Sequence, residues 1–399
     1  MTRACKDWLQ AYLQYTAGTE APRIMHFFAG VSAIAGALRR KVWIDLVRFK
    51  WYPSFYIVFV ADPGIVSKST TADLSMSLLR EVPGIKFGPD SVTWQSLVTS
   101  FAGACESFEY GGLWYPMSPL TLLASEFGSL MNLADQDMVN LFITLWDGRD
   151  RYDKQTKMSG NDTVEAPWIN LLACTTPSWM ATNMSQLALA GGLTSRTIYI
   201  FGEAKENLVA YPHRNAPQDV QSLKSALIHD LEYISLNLTG PMKLAREAEA
   251  WGEAWYEKLW KSEYKADLPD WHKGYLARKQ THLHKLAMVV SISHSDSLEI
   301  TLDDLQLANV MLESLEPDLE KVFSKVGKSV EAVEASRLID YIKRRGSCPY
   351  QDAYRMMHSA FPNFKDFEGI IAGAVRSGLV KADARGPAAS DIWLTYQGE

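Results

Sequence analysis

Phe55-Tyr56-Ile57-Val58-Phe59-Val60-Ala61-Asp62-Pro63-Gly64-Ile65-Val66-Ser67-Lys68-Ser69-Thr70 is the stretch that decides how this chain is read. Its first six residues are an unbroken aromatic and β-branched run, which predicts a strand buried on both faces of a parallel sheet. Asp, Pro and Gly then give a turn composition. From Lys68 to about Leu79 the apolar spacing is helical. Strand, turn-rich loop, Lys-Ser-Thr and helix, in that order, are the context of a phosphate-binding loop. A triphosphate needs backbone N–H groups turned toward its oxygens, a lysine at its β and γ phosphates, and a hydroxyl for magnesium. Gly64 can supply the unusual backbone angles, Lys68 the charge, and Ser69 or Thr70 the hydroxyl. The spelling departs from GxxxxGK[ST], because Asp62 stands at the first glycine position and Ser67 at the second. Asp62, Pro63, Gly64, Ile65, Val66, Ser67, Lys68, Ser69 and Thr70 are the expected ATP-binding loop. The competing reading is a surface turn that happens to contain Lys-Ser-Thr.

Outward from the loop, three more extended runs follow at α/β spacing. Pro119–Ser125 ends on Glu126, Trp168–Thr175 on Thr-Thr-Pro, and Arg196–Phe201 on Gly-Glu. Helical segments near Thr93–Ala104 and Gln136–Trp146 lie between them. The alternation predicts an α/β fold, a parallel sheet with helices on both faces, as in a P-loop NTPase core. Glu126, at a strand end, suits an acid that polarises the attacking water; a helix-capping acid is the alternative. Ser125 occupies the place of a magnesium-binding aspartate and can hold the ion only through water. Thr175 can touch the γ phosphate. Arg196 either reaches a neighbouring subunit's nucleotide as an arginine finger or forms a surface salt bridge. Arg278, in the helical segment Tyr275–Ser291, is a candidate sensor of the γ phosphate. The expected catalytic set is Lys68, Glu126 and Arg196, with ATP and Mg2+ as cofactors.

The flanks complete the organisation. Residues 3–38 are helical in pattern, with a turn near Thr16–Pro22. The apolar stretch Phe27–Leu38 is too short to span a bilayer, and no signal-peptide pattern precedes it, so a soluble, membrane-free protein is expected. Residues 149–165 read as a polar hairpin or loop. After Pro241 the extended signal disappears and helices are expected as an α-helical lid. Val330–Arg345, Pro349–His358 and Phe364–Ser377 are three further helices. Two short extended runs follow them, the order of a winged helix. The expected divisions are 1–50 (N-terminal helices), 51–240 (ATPase core), 241–328 (lid) and 329–399 (winged helix).

A net charge of −6 argues against a basic-coated protein, though a local groove is enough for nucleic acid. Lys154, Lys157, Lys343, Arg344 and Arg345 are the nucleic-acid candidates, with Arg39-Arg40-Lys41 a further basic run. Phe364–Arg376 balances two basic residues against two acids, unlike a helix that reads base edges. The four cysteines are far apart, which fits reduced thiols. HExxH, EF-hand and GxSxG patterns are missing, and His282 and His284 lack the spacing of helical metal ligands.

With these residues placed, the chain resembles the phage and mobile-element replicative-helicase family, with its RecA/AAA+-like core, over about residues 20–310. The resemblance rests on the small-residue helix His26–Arg40, Tyr52–Val58 leading into the loop, Leu122–Gly128, Gly191–Arg196, and Arg278–Ala287 with Ile300–Ala308. It implies an ATP-driven DNA helicase or translocase acting on single- or double-stranded DNA. It further implies self-association into a ring, expected to be a hexamer, in the cytoplasm of a bacterium or phage-infected host cell. A replication protein is the expected partner of the winged helix. The rival reading is a nucleotide-switched helicase loader or replication and packaging adaptor without motor activity.

Overall fold

Val42–Asp45 (β1) and Lys50–Trp51 (β2) pair antiparallel, and Tyr56–Val60 (β3) follows with every residue buried. The computed structural model describes residues 2–156, 160–184, 192–323, 326, 330–358, 360–385 and 392–398. Glu106–Tyr110 (β4) and Leu113–Ala124 (β5) form a hairpin, and so do Arg151–Thr156 (β6) and Gly160–Glu165 (β7). Pro167–Thr175 (β8) is buried at all nine positions, and Thr197–Phe201 (β9) closes the series. The main sheet has the order β4-β5-β8-β3-β9 and is parallel except for β4. The fold is mixed α/β.

Side chains on the central strands show which helices cover the sheet. Asn170 on β8 donates to Ser32 O and Oγ at 3.0 and 2.9 Å, so its face meets the helix Arg23–Leu38 (with Trp8–Tyr15 as α1, this is α2). Tyr56 donates its hydroxyl to Phe142 O at 2.7 Å, so the opposite face meets the helix Gln136–Trp146. Both faces of β3 are therefore dry, which is why its sequence shows no polar alternation. Helix α2 is buried along its whole length from Met25 to Leu38, because α1, the helix Val220–Asn237 and the helix Lys68–Arg80 (α3) surround it. That surround explains a run of small residues: Gly36 lets α2 approach Leu79 of α3 so closely that a Cβ there would overlap the leucine Cδ2.

The region after Pro241 is not wholly helical. Gly240–Leu244 (β10) pairs parallel with β1, and Glu299–Ile300 (β11) pairs parallel with β10, giving a second sheet of order β11-β10-β1-β2. Both strands are short, and Gly-Pro-Met-Lys-Leu has no strand signature. They arise because β1 offers an open edge to β10, and β10 then offers one to β11. The helices Arg246–Lys258, Asp270–His294 and Leu302–Glu313 follow the sequence expectation, the last begun by a Thr301–Asp304 capping box.

The chain divides into two compact units, residues 1–326 and 327–399. In the second, the helices Val330–Arg345, Tyr350–Met357 and Phe364–Arg376 enclose Leu338, Ile342, Met357, Phe367 and Ile371. Ser347–Pro349 (β12), Val380–Ala384 (β13) and Ile392–Tyr396 (β14) form an antiparallel sheet of order β12-β14-β13, β12 being a strand without a signal in the sequence. Among the described residues, no helix is long and apolar enough to cross a membrane.

The α2–α3 contact at Gly36 and Leu79 holds the last turn of α3 against α2. Gly36→Ala forces a methyl into the buried Leu79 and is expected to cost about 1–3 kcal/mol of stability. Urea denaturation of the two proteins measures this.

Candidate functional site

Three strand ends of the main sheet meet in one cleft. Chain connections make this a natural place for a ligand: the chain leaves β3 for the β4-β5 hairpin, passing β8, and leaves β8 for β9, crossing β3. Connections diverging in this way open a crevice at the carboxyl ends of the strands, where open α/β sheets hold ligands. The cleft has a volume of about 500 Å³, and Pro63, Lys68, Ser69, Ser125, Glu126 and Thr175 all line it.

The first wall is the loop after β3 and the start of α3. Gly64 has φ +75°, the left-handed region that glycine enters freely. Ser67 has φ 44° and ψ 37°, so the residue at the second glycine position takes the backbone conformation a glycine would take. The Ser67 carbonyl accepts from Thr71 N at 3.0 Å and starts α3, but no side chain caps the helix and no acid lies in its first turn. The first N–H groups of α3 are thus left for an outside acceptor, with the positive end of the helix dipole behind them. Lys68 stands in that first turn, and among the described residues it has no carboxylate partner.

The second wall comes from β5. Ser125 and Glu126 follow its last residue, both exposed to the cleft. Glu126 begins the short helix Phe127–Leu130 with its carbonyl, which accepts from Ser129 N and Oγ at 3.1 and 2.7 Å. Its carboxylate has no hydrogen-bond or ion-pair partner among the described residues. The third wall is the end of β8, where Thr175 is largely buried and its carbonyl accepts from Ala61 N at 3.3 Å. Thr176 caps the helix Pro177–Asn183 by accepting from Trp179 N at 3.1 Å.

Several lining residues carried no signal in the sequence. Trp179 lies against Phe127 edge-on at 5.6 Å, and a Cβ on Gly128 would sit 2.5 Å from the indole Nε1. Gly128 is therefore needed for this aromatic wall. Cys174 is buried beside Lys68 and Ser69, and burial pushes its thiol up to about 12. These contacts join residues from about fifty to more than a hundred positions apart, beyond the reach of local pattern.

The remaining loop residues shape the turn without lining the cleft. Val66 packs inward against Gly202, Ser67 Oγ reaches Glu20 at 3.4 Å, and Asp62, Gly64, Ile65 and Thr70 are exposed.

Arg196 and Arg278 are not in the cleft. Arg196 precedes β9 and donates to both Asp147 carboxylate oxygens at 2.8–3.0 Å, with 6% exposure. The expected surface salt bridge is thus one with a buried guanidinium, whose Nε and Nη2 edge meets the carboxylate while Nη1 donates to Gly192 O at 2.8 Å. Arg278 lies on the same side, 5.8 Å from the Trp146 ring.

The basic candidates divide similarly. Lys154 is buried, with its ammonium on Gln95 O at 3.3 Å and over the Trp94 ring at 4.8 Å, so it is not a free cation. Lys157 lies outside the described residues. Arg39, Arg40 and Lys41 are buried and committed: Arg39 to Glu106, Arg40 to Asp150, and Lys41 to the Ser235 carbonyl. Lys343, Arg344 and Arg345 are exposed at the end of their helix, with Lys343 over Tyr396 and Arg345 over Tyr341.

The described residues include no group of three or more His, Cys, Asp or Glu side chains able to hold a metal. No protein-family model matches the chain, and no curated protein matches it.

The left-handed Ser67 gives a direct test of this geometry. A non-glycine residue there costs about 1–2 kcal/mol, and its side chain caps nothing. Ser67→Gly is therefore expected to raise stability by about 1 kcal/mol in thermal denaturation, offset in part by unfolded-chain entropy.

Proposed function

We propose that this chain is a P-loop ATPase that binds Mg-ATP in the cleft at the carboxyl ends of β3, β5 and β8. What carries the reading is the convergence of Lys68, Ser69, Ser125, Glu126 and Thr175, from three separate strands, on one cleft of about 500 Å³ over the uncapped start of α3. A volume of that size suits a nucleotide.

Each residue has a physical task in this reading. The N–H groups at the start of α3 receive phosphate oxygens, and Lys68 adds a mobile charge at the β and γ positions. Glu126, an unpaired carboxylate across the cleft, orients water and accepts its proton. Thr175 offers a hydroxyl to the γ phosphate or the water. The hard oxygen donors Ser69 and Ser125 fit magnesium, which keeps several waters and few protein ligands. Ser69 would hold the ion directly and Ser125 through water. When bound, it supplies charge neutralisation at the β and γ phosphates.

We infer further that the protein acts as a ring-forming, hexameric helicase or translocase on DNA. The family resemblance supports this, and so does the exposed basic end Lys343–Arg345 of a unit with winged-helix order, which suits phosphate contact or a replication partner. One observation favours the rival adaptor reading: Arg196 is committed to Asp147, so a trans finger requires that pair to open. In the adaptor, nucleotide binding would switch assembly with little turnover.

ATP hydrolysis with and without single-stranded DNA separates the two. The motor reading expects turnover that DNA stimulates, and the adaptor reading expects none. For the site, Lys68→Ala is expected to weaken ATP binding at least about tenfold, the loss of a charged hydrogen bond. Glu126→Gln is expected to keep binding and lose at least about a hundredfold in turnover. Unchanged turnover in either variant contradicts the assignment.

A further inference from the structure

A second pocket lies at the opposite, amino end of the same sheet. Its volume is about 230 Å³, and Lys50, Tyr52, Trp146, Asp147, Arg278 and Lys285 line it. Ser54, just before β3, and Arg196, just before β9, stand beside it. The five-residue strand β3 separates this end from the loop before α3 by about 17 Å. A ligand here is therefore not the phosphate chain held by Lys68.

The charges of this pocket do not balance. Three cations surround one indole: Lys285 Nζ lies 3.6 Å from the Trp146 ring centroid, with Arg196 and Arg278 at 5.4 and 5.8 Å. The sole acid in the lining is Asp147, and Arg196 already uses both of its oxygens. Lys285 is 2% exposed, yet its ammonium finds only neutral acceptors: Ser54 O and Oγ at 3.2 and 3.0 Å, and Trp146 O at 3.5 Å. Arg278 is half-buried and has no hydrogen-bond or ion-pair partner among the described residues. Burial pushes the Lys285 ammonium well below its ordinary range; Asp147 opposes that shift, and Arg196 and Arg278 add to it. Trp146 Nε1 is buried without an acceptor. The nearby His282 is held neutral by burial at about 4 and does not add to the charge.

Buried cations are costly unless paired. With Lys285 protonated, Arg196, Arg278 and Lys285 against one carboxylate leave an excess of two positive charges, even before the exposed Lys50 of the lining is counted, and a dianion would neutralise that excess. The pocket is too small for a whole nucleotide but has room for a phosphate group. A terminal phosphate carries about two charges, whereas a phosphodiester carries one and must thread out at both ends. We propose that this pocket is a second anion site that takes a terminal phosphate group, gripped by Arg278 and Lys285. The assignment does not rest on the ATPase reading.

Inorganic phosphate is the probe, titrated by calorimetry into the full-length Lys68→Ala protein so that the loop before α3 does not contribute. One saturable site is expected. Adding Arg278→Ala should weaken it at least about tenfold, the loss of one charge-assisted contact. Because Arg278 is half-exposed and unpartnered, that change should leave the fold intact. Adding Lys285→Met instead should abolish binding while leaving the thermal midpoint equal or higher, since an unbalanced buried charge is removed. No saturable binding in Lys68→Ala, or binding indifferent to Arg278→Ala, overturns the proposal.

Two further comparisons of the parent protein with its Arg278→Ala variant identify the source. Loss of ATP-dependent self-association in light scattering assigns the phosphate to a nucleotide held by a second copy. Loss of a preference for 5′-phosphorylated over 5′-hydroxyl oligonucleotides assigns it to a nucleic-acid end.

Discussion

The functional reading depends on the unpaired N–H groups at the start of α3, set at the end of a strand that has no contact with water. A helix begun without a side-chain cap leaves its first donors open, and nothing within the described chain takes them. The surroundings hold that arrangement. Burial of β3 on both faces fixes where the strand stops, and the close approach of α2 at Gly36 to Leu79 holds the far end of α3 in place. Between them the chain has only Ala61–Ser67 to make the connection, and it does so with left-handed turns at Gly64 and Ser67.

That constraint explains how the loop keeps its backbone course despite its spelling. A glycine at the second position matters because it takes a left-handed conformation cheaply, and Ser67 takes the same conformation at a cost. The absent glycine at Asp62 is met differently. Asp62 and Pro63 sit on an exposed turn, and Ile65 N reaches back to Asp62 O at 3.4 Å. Backbone direction, not residue name, is what an anion meets.

Much of this was legible in the sequence because it is local. The run Phe55–Val60, the turn residues and the Lys-Ser-Thr start of a helix lie within sixteen positions, and periodicity carries each. Glu126 and Thr175 could be found because each ends a strand of strongly apolar composition. The rest is long-range. The partner of Arg196 is Asp147, forty-nine positions away, and the wall built by Gly128 and Trp179 spans fifty-one. Strand β10 borrows its order from β1, and β11 from β10, so their own residues give no sign of it. Lys154 and Arg39–Lys41 look like surface charge in sequence, and only the folded chain shows them buried against carbonyls, carboxylates or an aromatic ring.

The two ends of the sheet have opposite deficits. At the carboxyl end of β3, helix donors and Lys68 await an acceptor, with an unpaired carboxylate facing them. At the amino end, cations outnumber the acid available to them. A structure of the protein crystallised with Mg2+ and a slowly hydrolysed ATP analogue tests the central claim most directly. The account predicts phosphates over the first turn of α3, Lys68 Nζ within hydrogen-bond distance of β or γ oxygens, and Glu126 facing the γ phosphate. A nucleotide bound elsewhere, with the first turn of α3 left open, would contradict it.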